Sequence, residues 1–312
     1  MKKLLPLLFV AVLPARAQSS ASVAAGEPPA ASLAYDARSK KYFVGQPQQR
    51  KIVWIDAKGK VADFWHPTPL PVAGAEWPQQ KLPVLGEVTA LQADDAHRSL
   101  WACASGWGPA GKRTGLWEFD SRSGALRQLA FVTDTVRQHS FQDLAVTAAG
   151  VVYAPDVESG GVYRMRTKMP LTEEIEAWLP ADTFVRPTHI CLAADGSTLY
   201  VVHAGGIARI DAATKHITPV ELDSKLEVST ITGLYIYKGL LLVQQQTAAP
   251  QIVRYRLEAA GARMEPVGVL PLSRPEPTAT LGRGVVVGDE FYYTSTPAAT
   301  GAEVSLQRIS LL

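Results

Sequence analysis

The chain has 312 residues, 47% hydrophobic and 19% charged, with 31 Lys and Arg against 29 Asp and Glu. This balance carries no basic field, so nucleic acid is not an expected partner. Two cysteines are too few for a disulfide-stapled scaffold, and a chain of this length buries a large core without staples.

The first segment reads MKKLLPLLFVAVLPARAQ. Lys2 and Lys3 form a positive n-region, Leu4 to Leu13 a short apolar run, and Ala15-Arg16-Ala17 a small-residue cleavage site. This is the pattern of a secretory signal peptide over residues 1–17, and the run is too short to span a bilayer. No cysteine follows the cleavage site, so no lipoprotein anchor is expected. Lys2, Lys3 and Arg16 leave with the signal, so the 31 basic residues become 28 against 29 acidic ones. The mature protein is expected to be periplasmic or secreted, with no membrane span. Residues 18–30, QSSASVAAGEPPA, are small, polar and proline-bearing and read as a flexible leader.

From residue 31 to residue 312 one unit recurs. In PTHICLAADGSTLYVVHAGGIARIDAATKHITPVEL, residues 187–222, four short apolar strands are separated by Gly and Asp turns. First strands of this kind start at Ser32, Ala90, Asp143, His189, Gly233 and Gly284. Successive starts lie 58, 53, 46, 44 and 51 residues apart, which suits four-stranded propeller blades with variable loops. The expected fold is all-β, a single six-bladed β-propeller domain over residues 31–312. The Pro-rich stretch His66 to Pro83 reads as an insertion between blades 1 and 2. The segment ASGWGPAGKRTG of blade 2 reads as a loop exposing Trp107. Blade 6 ends after its third strand, and the leader offers no convincing strand to complete it. Cys103 and Cys191 lie in apolar strand patterns and read as buried thiols.

In a propeller the first strand of each blade lines the central channel. Its start and the end of the antiparallel second strand emerge on one face. That geometry gathers Asp143 with Asp156 from blade 3 and His189 with His203 from blade 4. Gln46, Gln142 and Gln245 add polar groups, and Arg283 adds a cation. These residues are the expected ligand set. Asp143 and His189 are the catalytic candidates, the carboxylate orienting the ring of a general base. Asp143, Asp156, His189 and His203 are also a candidate donor set for a divalent metal. His139 lies one step further out and reads as a loop residue. Other chemistries lack their signatures: there is no G-x-S-x-G elbow, no phosphate-binding Gly-rich loop, no H-E-x-x-H and no C-x-x-C.

The stretches SLAYDARSKKYFVGQPQQRKIVWIDAKG, FQDLAVTAAGVVYAPDVESGGVYRM and PTHICLAADGSTLYVVHAGGIARIDAAT resemble blades of the senescence-marker-protein, gluconolactonase and luciferin-regenerating-enzyme-like propellers. NHL-type and strictosidine-synthase-like propellers share much of this pattern. The resemblance implies a hydrolase of sugar-acid lactones with one divalent metal, commonly calcium. It places the metal ligands on a Glu in blade 1, an Asn in mid-ring and an Asp near blade 5, beside an Asn-Asp substrate pair. At those positions this sequence has Ser32, Thr188, Thr232 and Gln142-Asp143. Calcium calls for charged oxygen ligands, so the family's calcium site is not expected to persist. The expectation is a propeller that binds a small ligand or protein partner at the channel mouth. The alternative is a divergent lactonase or esterase.

Overall fold

Runs of Val, Ile, Leu and Tyr broken by Gly and Asp favour short pleated strands, and nearly every such run is one. The structure is a computed structural model; it describes residues 22–23, 32–46, 49–65, 84–108, 111–166, 175–273, 280–296 and 304–312. The Pro-rich insertion at residues 66–83 lies outside them.

Strand β1 (Ser22–Val23) precedes blade 1, which is β2 (Ser32–Asp36), β3 (Lys41–Gln46), β4 (Lys51–Ile55) and β5 (Val61–Trp65). Blade 2 is β6 (Val84–Asp94), β7 (Ser99–Gly108), β8 (Gly111–Asp120) and β9 (Leu126–Phe131). Blade 3 is β10 (Ala145–Val146), β11 (Val151–Pro155), β12 (Val162–Arg166) and β13 (Glu176–Leu179). Blade 4 is β14 (His189–Leu192), β15 (Thr198–His203), β16 (Gly206–Asp211) and β17 (Ile217–Pro219). Blade 5 is β18 (Ile231–Tyr237), β19 (Leu240–Gln245), β20 (Gln251–Glu258) and β21 (Arg263–Pro271). Blade 6 is β22 (Thr280–Val287), β23 (Glu290–Thr296) and β24 (Val304–Ser310). Each sheet is antiparallel and four-stranded, and the first five blades run in chain order. The six-bladed propeller expected from the repeat is the fold.

Two features differ from the sequence expectation. Blade 6 is completed by β1, which pairs with β24 through Ser22↔Ser305 and Val23↔Val304. The leader therefore closes the ring with a strand from the other end of the chain. The segment ASGWGPAGKRTG is mostly strand, because β7 runs to Gly108 and β8 resumes at Gly111. Trp107 pairs with Lys112 in that ladder.

The turns have their own chemistry. Asp36, Asp120, Asp156, Asp195 and Asp211 are each followed three residues later by Ser or Thr. In each case the carboxylate accepts backbone N–H groups within the turn and the hydroxyl of that third residue. At Asp195 the bonds are 2.7 Å from Ser197 N, 2.8 Å from Thr198 N and 2.8 Å from Thr198 Oγ1. The short acid supplies the acceptors that the turn backbone lacks.

The core is divided into wedges between blades. Phe43 and Ile52 of blade 1 pack on Trp117 and Phe119 of blade 2. Trp101 of blade 2 meets Phe141 and Val152 of blade 3. Further wedges join blades 3 and 4, 4 and 5, and 5 and 6. The last wedge brings Val304, Val285 and Tyr292 of blade 6 onto Leu33, Tyr42 and Val44 of blade 1. Burial between blades, rather than within one, makes the ring a single cooperative unit. Cys103 and Cys191 are free, buried thiols within these wedges. No helix among the described residues is long and apolar enough to cross a membrane.

Candidate functional site

Each blade's first strand pairs on one side only, so its other edge faces inward. First strands of neighbouring blades approach one another around the ring: β2 meets β6 and β22, and β14 meets β18. They enclose a channel cavity of about 420 Å3, within the range of small-ligand pockets.

Asp143, just before β10, and Arg283, on β22, line this cavity and form an ion pair. Blades 3 and 6 are three apart in a ring of six, so the pair spans the channel. Asp143 Oδ1 also accepts Leu144 N–H at 2.9 Å, and Oδ2 accepts Ile190 N–H at 3.0 Å. Arg283 donates a second bond to His189 Nδ1 at 2.9 Å. His189 in turn donates from Nε2 to the carbonyl of Ile231 at 3.1 Å. This fixes the ring as the neutral Nε2–H tautomer, with the Nδ1 lone pair facing the guanidinium. His189 Nδ1 lies 3.6 Å from Asp143 Oδ2.

Electrostatics agree with the geometry. Burial pushes the Asp143 carboxyl up, but Arg283, His189 and the Ile190 amide outweigh it and hold the group below its ordinary value. Burial lowers His189, and the charge of Arg283 lowers it further against the opposing pull of Asp143. Asp143 is thus ionised and His189 neutral at pH 7.

Local packing aims Arg283. Gly284 N–H donates to Tyr235 Oη at 2.9 Å, and Tyr235 Oη donates to Gln244 Oε1 at 3.0 Å. Gln244 Nε2 then bonds the carbonyl of Gly282 at 2.9 Å. A Cβ on Gly284 would lie 2.0 Å from Phe291 Cζ, so this close approach requires glycine.

The other expected residues sit elsewhere. Asp156 is fully buried in its turn, where it accepts Ser140 N–H at 2.9 Å and Ser159 Oγ–H at 2.8 Å. Its partner is His139, whose Nδ1 is 2.5 Å from Asp156 Oδ2. His203 packs on Phe184 at 5.0 Å between ring centroids, and its Nδ1 accepts Gly205 N–H at 3.2 Å. Burial lowers its pKa. Gln245 is buried, donating to Thr230 Oγ1 at 3.1 Å and accepting from Gln251 Nε2 at 3.2 Å. Gln46 is buried opposite Lys51, and Gln142 is exposed. None of the five expected residues Asp156, His203, Gln245, Gln46 and Gln142 lines the channel cavity. For Asp156, His203, Gln245 and Gln46, at second-strand ends, the reason is radial. The end of a second strand lies one strand spacing, about 4.8 Å, further from the axis than the first-strand start beside it. Sharing a face therefore does not bring the two ends together at the axis.

Ser32 and Thr232 lie on the first strands of blades 1 and 5, and Thr188 directly precedes that of blade 4. Ser32 Oγ sits over Gly45 without a hydrogen-bond partner, and Thr232 Oγ1 is likewise buried and unpaired. Among the described residues no group of three or more His, Cys, Asp or Glu gathers as a cation set.

Sequence reasoning missed the backbone partners, the Ile190 amide and the Ile231 carbonyl. Only the inter-blade register reveals them. His139 lies outside the strands, as its sequence context suggests, and its pairing with Asp156 carries no sequence signature.

No protein-family model matches the chain, and no curated protein matches it. Solved propellers do. Regucalcin of Agrobacterium tumefaciens, a calcium-binding protein, superposes with a TM-score of 0.59 at 14% identity, covering 92% of both chains. A gluconolactonase of Xanthomonas campestris gives 0.56 at 14% identity, over 89% of this chain and 86% of that one. Virginiamycin B lyase of Staphylococcus aureus gives 0.53 at 12% identity, over 94% and 99%. The likeness to gluconolactonase-like propellers holds for the fold, and that fold carries a calcium-binding protein, a lactonase and a lyase alike.

Proposed function

We propose that the chain is an exported propeller that binds a small oxygen-bearing ligand in its channel, with Arg283 as the contacting group and no resident divalent cation. The observation that carries this reading is the Asp143–Arg283 ion pair across the cavity. A hard cation needs several oxygen ligands, at least some of them charged. Here both Asp143 oxygens are engaged by Arg283 and two backbone amides, and both His189 nitrogens are engaged as well. A divalent cation does not fit this donor set, because a guanidinium already neutralises the carboxylate. Arg283 spends N–H donors on Asp143 and His189, and a guanidinium carries five. A ligand carbonyl or carboxylate is the natural acceptor for the remainder.

The binding test is calorimetric titration of the protein with a panel of small lactones and their open-chain carboxylates. At least one compound binds, and Arg283→Gln weakens it by about tenfold or more, as loss of a charge-assisted bond implies. A panel with no binder overturns the reading. Export rests on the Lys2-Lys3 n-region, the apolar run and Ala15-Arg16-Ala17. N-terminal sequencing of protein recovered outside the cytoplasm should begin near Gln18; intact Met1 in the cytoplasm alone contradicts it.

A second reading, a lactone or ester hydrolase, is favoured by the 3.6 Å approach of His189 Nδ1 to Asp143. It requires Arg283 to leave His189, freeing Nδ1 to take a proton. Lactone turnover lost in both Asp143→Asn and His189→Gln would establish it.

A further inference from the structure

A second cavity, of about 520 Å3, lies between blades 2 and 3 and shares no lining residue with the channel. Arg113 and Thr114 of β8 line its blade 2 side, and Glu158, in the turn after β11, lines its blade 3 side. The loop after β9 supplies Asp134, Arg137 and His139. Two guanidiniums, Arg113 and Arg137, thus balance two carboxylates, Asp134 and Glu158.

The Asp156 carboxylate only accepts hydrogen bonds, so its 2.5 Å contact places the hydrogen of the neutral His139 ring on Nδ1. Nε2 keeps a lone pair. That atom is buried without a hydrogen-bond partner, in a side chain only 6% exposed. Asp134 Oδ2 lies 3.8 Å from it, while Asp134 Oδ1 accepts the Val136 amide at 2.8 Å, which holds the carboxylate in place. Two acceptors therefore face each other with no donor between them. Thr114 Oγ1 donates to the His139 carbonyl at 2.6 Å and ties this pair to β8, beside Arg113. Arg137 is engaged by Asp182 at 2.9 Å. Arg113 is half-buried and has no ion-pair partner among the described residues.

We propose that this cavity binds a small amino acid, its carboxylate on Arg113 and its ammonium between His139 Nε2 and Asp134 Oδ2. An ammonium about 2.9 Å from each acceptor fits across their 3.8 Å separation. It brings the donors that both atoms lack, and its charge meets that of Asp134. A carboxylate takes the fork of the unpaired guanidinium. An anion without an ammonium would leave the two acceptors unmatched, and a simple cation would leave Arg113 so. The site is separate from the Asp143–Arg283 channel and does not depend on the channel binding a ligand.

The test is calorimetric titration of wild-type protein with glycine, β-alanine and γ-aminobutyrate, and with the corresponding hydroxy acids. At least one amino acid should bind, and its hydroxy acid should bind about tenfold more weakly or worse, as loss of a charge-assisted bond implies. Arg113→Gln and His139→Gln should each weaken the amino acid by about tenfold or more. Asp134→Asn, on an exposed loop, should do the same while leaving Asp156 its histidine; it replaces His139→Gln if circular dichroism shows that variant unfolded. No binding by any amino acid overturns the proposal. So does a hydroxy acid as tight as its amino acid, or binding unchanged in Arg113→Gln and Asp134→Asn. An amino acid lost in Arg283→Gln and kept in Arg113→Gln sits in the channel and overturns it as well.

Discussion

Arg283 of blade 6 and Asp143 of blade 3 form an ion pair between blades three apart, so the bond crosses the channel instead of running along its wall. Both side chains are largely buried, at 15% and 14% exposure. Arg283→Ala leaves a buried carboxylate without its counter-charge. Denaturant unfolding should show a loss of about 3–5 kcal/mol. Adding Asp143→Asn should recover part of it, because the orphaned charge is the cost. An additive double mutant contradicts the coupling.

Stability should fall as pH drops. His189 is lowered from its ordinary 6.5, so the unfolded chain takes up its proton first. Its contribution is complete above about pH 6.5 and is lost as pH falls through the lower folded value. Asp143 is lowered from 3.8, and its contribution is lost in the same direction at more acid pH. Protonation of His189 would set Nδ1–H against Arg283. Thermal unfolding from pH 8 to pH 4 should show the decline, and His189→Gln should remove its upper part. His203→Gln should remove a further part, because burial lowers His203 as well.

Asp156 and Asp143 should separate under mutation. Asp156 accepts bonds within its turn and from His139, so Asp156→Ala should cost about 1–3 kcal/mol in unfolding. Affinity for the channel ligand in the folded variant should stay unchanged. Asp143→Asn should alter ligand binding. Equal effects of both on affinity would contradict this division of roles.

Ring closure should depend on the leader. β1 supplies two cross-strand pairs to β24, on the order of 1 kcal/mol by pair energies. Deleting residues 18–30 should lower the midpoint and speed amide exchange in β24 and β23 before the other blades. Uniform exchange across all blades would contradict a local closure.

Much of the fold is legible in the sequence because each blade repeats its strand and turn pattern locally. Closure is not. Ser22–Val23 is a two-residue strand in a small, polar segment, and only its pairing with Val304 and Ser305 makes it one. The site is legible in half. Asp143 and His189 stand at first-strand starts of the sequence pattern and Arg283 just before one, and hydrogen bonds and ion pairs join the three. Asp156 and His203 share the face but stand one strand further out, in turns that hold them by local bonds. The D-x-x-[ST] recurrence is the available signal that Asp156 belongs to a turn, since four other turns repeat it. The Ile190 amide and Ile231 carbonyl carry no residue signature, because any residue supplies a backbone group.

In the proposed function Arg283 takes the place of a divalent cation beside Asp143. The direct measurement is elemental analysis of wild-type protein, purified in calcium-containing buffer and then dialysed. No stoichiometric divalent ion is expected in wild type or in Asp143→Asn. One tightly held divalent ion per chain, lost in Asp143→Asn, would contradict it.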